Sequence, residues 1–264
     1  MRQPLGQARG TGKTGMRDPA RLIGLARSLW LYYGVPGRLS RTRRFYAQFV
    51  RQGELCFDVG AHVGSRAWVW SRLGARVVAI EPQPDFARFL RWLFRNRPSV
   101  EVVDAAVAAT PGRLTLRISR RHPTVTTASS QFLASVAGAA SFKGVRWQES
   151  CEVEAVTLDG LIARYGMPAF VKIDIEGFEA EALAGLSRPL PALSFEHLAE
   201  TTDVALACVD RLEALGRYRY NVARGESMTF VAERWLDAQG VRAWLAAQGP
   251  DSGSGDVYAR LVSS

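Results

Sequence analysis

At 264 residues and 47% hydrophobic content, the chain is long enough for one well-packed domain plus an arm; its three cysteines, Cys56, Cys151 and Cys208, have no zinc-like spacing and suit a reduced, cytoplasmic protein better than a disulfide scaffold. The net charge of +9 is unevenly placed, because residues 1–51 hold ten Arg and one Lys against Asp18 and the remainder sums to −1. A groove that tracks nucleic-acid phosphates carries its own basic excess, and the balanced remainder argues against a nucleic-acid partner.

Met1–Arg17 is rich in Gly, Arg and Thr, so residues 1–18 read as a flexible basic arm. Its Gly10-Thr11-Gly12-Lys13-Thr14 stretch is not a P-loop: Gln7 stands where the first glycine belongs, and no strand precedes it. Residues 19–50 form an N-terminal helical segment. Within it Pro19–Tyr33 predicts a helix with Leu22, Leu25, Ala26, Leu29 and Tyr33 on one face. Packing on the domain is the first reading; a basic, aromatic-tipped helix touching an anionic membrane surface is the second. Arg27 interrupts the run, which argues against a signal peptide or a membrane span, and Arg43-Arg44 is followed by no long apolar stretch.

The catalytic part is read as 51–264. Leu55–Val59 is a short apolar strand carrying Asp58, Gly60 and Gly64 follow, a helix runs to Gly74, and Arg76–Ile80 is a second strand closed by Glu81. An acid at that tip can accept both hydroxyls of a ribose. The turn reads D-x-G-x-x-x-G and lacks two glycines of a dinucleotide fingerprint. It therefore suits a nucleoside without phosphates, S-adenosylmethionine (SAM), better than NAD.

After Pro82, Phe86, Phe89, Leu90, Leu93 and Phe94 mark an amphipathic helix, and Val100–Val103 a strand ending at Asp104, which is within reach of an adenine amine or shapes a turn. Ala105–Ile118 reads as a strand pair around Pro111-Gly112, and 119–150 as an irregular insertion of the kind that forms a lid or substrate loop. Cys151–Val156 is a strand and Leu158–Tyr165 a helix. Phe170–Glu179 is a buried strand running into acids: Asp174, Glu176 and Glu179, the last of which suits a helix N-terminus. Leu193–Leu198 carries Glu196 and His197. A helix around Cys208, strands at Tyr218–Val222 and Met228–Val231, a helix at Trp235–Gln248 and a last strand at Asp256–Val262 complete the chain.

The series FDVGAHVG, VVAIEPQP, VTLDGLI, VKIDIEGFEAEALAGL and LSFEHL resembles the FkbM-type methyltransferase family over roughly residues 40–262. The resemblance implies an α/β, Rossmann-like class I methyltransferase fold: a seven-stranded, mainly parallel sheet with helices on both faces and an antiparallel last strand. His62 departs from the asparagine common there. The resemblance implies SAM as cofactor, with Asp58, Gly60 and Gly64 against its methionine part, Glu81 on its ribose and Asp104 near its adenine. It places Asp174, Glu176, Glu196 and His197 around the transferred methyl, with Glu176 toward the acceptor.

The reaction is read as methylation of a hydroxyl on a small molecule, glycan or lipid. His197 is the first candidate for the base and Asp174 the second. A divalent metal on Asp174 and Glu196 ranks below metal-free catalysis. The alternatives are N-methylation, disfavoured by the absence of a D/N-P-P-Y tetrad, a dinucleotide-binding oxidoreductase, and a non-catalytic module docked to a membrane by its basic arm.

Overall fold

The computed structural model describes residues 19–119, 122–139, 142–249 and 252–262. The arm at 1–18, with its Gly10–Thr14 stretch, lies outside them. The chain opens with α1 (Pro19–Leu29), a π turn (Trp30–Gly34) and α2 (Arg38–Tyr46). The parallel unit follows: β1 (Leu55–Val59), α3 (Ser65–Arg72), β2 (Arg76–Ile80), α4 (Pro84–Phe94) and β3 (Val100–Val103). Next come β4 (Ala106–Val107), β5 (Gly112–Ile118), α5 (Ser130–Ser135), β6 (Glu149–Val156) and α6 (Leu158–Tyr165). The second half holds β7 (Phe170–Ile173), α7 (Glu179–Ala184), β8 (Ala192–Leu198), α8 (Thr202–Leu215), β9 (Tyr218–Arg224), α9 (Ala238–Ala246) and β10 (Ser254–Leu261).

The main sheet has seven strands in the order β3-β2-β1-β7-β8-β10-β9. Its strands pair in parallel from β3 to β8, whereas β10 runs antiparallel to both β8 and β9. This is the mainly parallel sheet with an antiparallel last strand that the resemblance implies. The order reverses between β1 and β7, and in open α/β sheets ligands bind at that switch point, outside the carboxyl ends of the strands.

Alternation along each strand divides the core into two layers. Phe57, Val59, Ile80, Val171, Ile173, Leu193, Phe195 and Val257 face α6, α7, α8 and α9. Cys56, Val77, Ala79, Phe170, Ala192 and Tyr258 face the other way, against Phe45 and Tyr46 of α2, Trp70 of α3 and Leu90 of α4. Burial of both faces explains why the central strands read as unbroken apolar runs.

Three segments differ from the sequence reading. Ala105–Ile118 is not a hairpin: β6 lies between β4 and β5, parallel to the first and antiparallel to the second. Met228–Val231 is not a strand. Met228 takes a left-handed φ of 52°, and the Asn221 side chain bonds both the carbonyl and the N–H of Ala232, so only isolated bridges form beside β9. The insertion is more ordered than expected. Phe132 of α5 is fully buried, against Val136, Leu198, Phe142 and Trp147.

Candidate active site

The switch-point turn is built on contacts that only glycine permits. Gly60 has φ +80°, and a Cβ there would lie 1.9 Å from the Asp174 carbonyl oxygen, so the β1 turn and the β7 end touch backbone to backbone. Gly64 has φ +74° and opens α3, with Leu90 and Phe94 of α4 pressed against it. Asp58 is buried and accepts from the Ala67 N–H at 3.0 Å, which ties β1 to the first turn of α3. Burial pushes its carboxyl up to about 6, against the pull of Arg66 and Lys172.

Glu81 lies 4% exposed beyond β2, where its two oxygens accept the N–H groups of His62 and Gln83, each at 2.8 Å. Burial raises it to about 7, and those bonds hold it from rising further. His62 itself has a left-handed φ of 49°, with its ring 4.3 Å from that of Phe86. Burial lowers it to about 4, so it is neutral. Gly60, His62, Glu81, Gln83, Asp174 and Glu176 line one cavity, which the insertion closes with Thr124, Thr126 and Ala128. Asp58 and Gly64 shape the turn behind it. Asp104 is not in that lining: it is paired with Arg91 of α4.

At the other side of the switch point the acids converge. Asp174, Glu176 and Glu196 each offer a carboxylate oxygen within 4.8 Å of the others, a set with the hard oxygen donors a divalent cation takes. Lys172, one strand repeat before Asp174, is almost fully buried and bridges Asp174 at 3.0 Å and Asp256 at 2.8 Å. It reaches Asp256 across β8, where Lys172 stands opposite Ser194 and Ser194 opposite Tyr258. Burial opposes ionisation of Asp174, but the Lys172 ammonium outweighs it and holds that carboxyl below its ordinary value. On Glu196 the pull of Lys172 is outweighed. Burial first, then Glu176 and Asp174, drives it well above the usual range, and its Oε2 is buried without a hydrogen-bond partner. Glu176 is raised too, by burial first and then by Asp174 and Glu179. Its left-handed φ of 53° is held by the Thr127 hydroxyl, which donates to its carbonyl at 2.7 Å. Glu179 caps this turn, accepting from Ile175 and Gly177.

His197 does not join the acids. Its neighbour Glu196 faces the Lys172 layer, so His197 faces the opposite one, with its ring edge-on to Trp244 at 5.4 Å. Burial and Arg224 lower it to about 4. The residues that the sequence reading missed are Lys172, Asp256 and Thr127, together with Tyr32 and Tyr33. The Tyr33 hydroxyl donates to the Val63 carbonyl at 2.9 Å, and the Tyr32 ring meets His62, 5.9 Å between centroids. A lysine in the centre of an apolar strand, two residues before an aspartate, was the signal for Lys172.

Among curated proteins, the hexuronic acid methyltransferase AglP of Haloferax volcanii is 26% identical over 153 residues, a stretch that is 58% of each protein's length. The chain thus spans little more than half of that relative. Among solved structures, precorrin-6y C5,15-methyltransferase from Geobacter metallireducens GS-15 superposes with a TM-score of 0.44 at 17% identity over 85% of both chains. An O-methyltransferase from Bacillus cereus in complex with SAH gives a TM-score of 0.41 at 13% identity, over 92% of this chain and 89% of that one. The methyltransferase FkbM domain family matches residues 58–249, from Asp58 of β1 to just past α9, and the chain belongs to that family.

Proposed function

We propose that this protein is a SAM-dependent O-methyltransferase acting on a hydroxyl of a glycan, lipid or small molecule. The observation that carries this reading is the cluster of Asp174, Glu176 and Glu196, two of which share a cavity with Gly60 and Glu81. SAM supplies an electrophilic methyl on a sulfonium.

The residues fit that cofactor. Glu81 offers a buried carboxylate to the ribose hydroxyls, and Gly60, kept free of a side chain, lets the backbone approach the nucleoside. Transfer needs the acceptor oxygen in line with the methyl, so positioning contributes most. The unpartnered Oε2 of Glu196 and the carboxyl of Glu176 hold acceptor hydroxyls. Asp174, kept ionised by Lys172, receives the hydroxyl proton. The cluster is acidic, so a neutral polyol suits it better than an acceptor whose own carboxylate lies close by. AglP acts on a hexuronic acid; here the negative charge would have to point away from the cluster.

The direct test is calorimetric titration with SAM, then an acceptor screen on hydroxylated sugars and lipids with wild type, Asp174→Asn and His197→Asn. Asp174→Asn is expected to lose about a hundredfold or more in kcat with SAM affinity within a few-fold of wild type, whereas His197→Asn keeps most of its kcat. If His197→Asn is the inactive variant, the assignment of the base is wrong. If SAM does not bind, the whole reading falls.

A further inference from the structure

We propose that the solvent-facing stripe of α1 and the π turn docks this protein on an anionic lipid bilayer. This inference rests on side chains outside the cavity lining and holds or fails independently of the acceptor. Ile23, Trp30 and Leu31 are 68%, 71% and 43% exposed. With exposed Ala26 and Arg27 they follow the spacing i, i+3, i+4, i+7, i+8, which gathers them on one side of a helix. On the other side Gly24 and Ser28 are buried, and Leu25, Leu29 and Tyr33 are half-buried. The segment therefore carries apolar side chains on both sides and leaves Ile23, Trp30 and Leu31 to solvent. Gly34 supports this arrangement, because the Trp30 indole lies over it so closely that a Cβ there would come within 2.7 Å of the ring.

Charge selects the occupant. The stripe includes Arg27, and residues 19–51 hold seven Arg and no acid. A second copy would bring two such segments together, with like charges opposed. Residues 1–18 of the same chain offer few large apolar side chains to cover the stripe, only Met1, Leu5 and Met16, and add four basic groups of their own. An RNA would engage the arginines but leave Ile23 and Leu31 without a role. An anionic bilayer uses both features: apolar side chains enter the boundary between headgroups and acyl chains, indoles favour that depth, and each nearby Arg gains from the negative surface.

The experiment is flotation of the full chain with vesicles of phosphatidylcholine alone and of phosphatidylcholine mixed with phosphatidylglycerol. Wild type is expected to float with the mixed vesicles and not with the neutral ones, and to be released by high salt. Ile23→Asp combined with Trp30→Asp is expected to cut the bound fraction about tenfold or more, and Arg27→Glu several-fold. Thermal melts and SAM affinity of the variants serve as fold controls, since Ile23, Arg27 and Trp30 do not line the cavity, although Arg27 lies 3.5 Å from the His122 ring in the insertion. Three results would overturn the proposal: no flotation with mixed vesicles, flotation that survives the double substitution in a folded protein, or a stripe protected instead by RNA or by self-association.

Discussion

At the scale of single residues, the proposed cofactor end of the crevice rests on Gly60 and Glu81 by different physics. Gly60 is required sterically. An alanine there would place its Cβ on the Asp174 carbonyl and force a φ of +80° on a residue with a side chain. Gly60→Ala is expected to destabilise the fold by about 2 kcal/mol or more and to abolish SAM binding, as read by denaturant melts and calorimetry. Glu81 is required electrically. Its folded value of about 7 lies above the ordinary 4.5, so it gains its charge late, as pH rises through neutrality. The ionised form is the better acceptor for ribose hydroxyls. SAM affinity should therefore fall several-fold from about pH 8 to about pH 6, and Glu81→Gln should bind weakly and without that slope. A Glu81→Gln protein that keeps the wild-type pH profile would assign the slope to another group. The linkage to stability has the opposite sense. A raised carboxyl makes the free protein lose stability as pH climbs from about 4.5 to about 7, and bound SAM should offset that loss.

At the scale of elements, β7 organises the chemistry. Phe170, Lys172 and Asp174 share one face of the strand, and Ala192, Ser194 and Glu196 share the matching face of β8. The parallel unit β1–α3–β2 was legible in the sequence because its apolar runs, glycines and terminal acids are all local signals. The acids at Asp174, Glu176 and Glu196 were legible for the same reason. The role of Lys172 was less so, because its partner Asp256 lies 84 residues away, on a strand whose place in the sheet depends on the whole topology. His197 shows the converse, a placement that chemistry alone does not give. Its pKa range drew attention, but a period of two places it and Glu196 on opposite faces, and that rule overrides chemistry. Removing the buried cation leaves two carboxylates uncompensated. Lys172→Met should lose about 3–5 kcal/mol in denaturant unfolding. Asp256→Asn should lose less, since it leaves the Lys172–Asp174 contact in place. With an acceptor in hand, any folded Lys172→Met protein should show the acid limb of its pH–rate profile moved upward, because Asp174 then ionises with less help. An unmoved acid limb would mean that Asp174 is not the base.

At the scale of the whole molecule, the N-terminal segment and the catalytic sheet meet at the cofactor turn. Tyr33 bonds the carbonyl of Val63, and Tyr32 lies between the His62 ring and the Arg66 guanidinium, which is 5.9 Å from its ring centre. Arg66 is clamped in turn by both carboxylate oxygens of Glu226, at 2.7 and 2.8 Å, so the loop after β9 joins the same assembly. The α1–π segment thus braces the Gly60–Gly64 turn from outside while its other side carries the exposed stripe. Two truncations separate these duties. Removal of residues 1–18 takes away basic charge and leaves both tyrosines in the chain, and SAM affinity is expected to stay within about twofold of wild type. Removal of residues 1–34 deletes both tyrosines, frees Val63 and His62, and should weaken SAM binding about tenfold while lowering the melting temperature by several degrees. Equal SAM affinity in the two truncations would show that the turn holds its shape unaided and that the segment serves only the surface it presents.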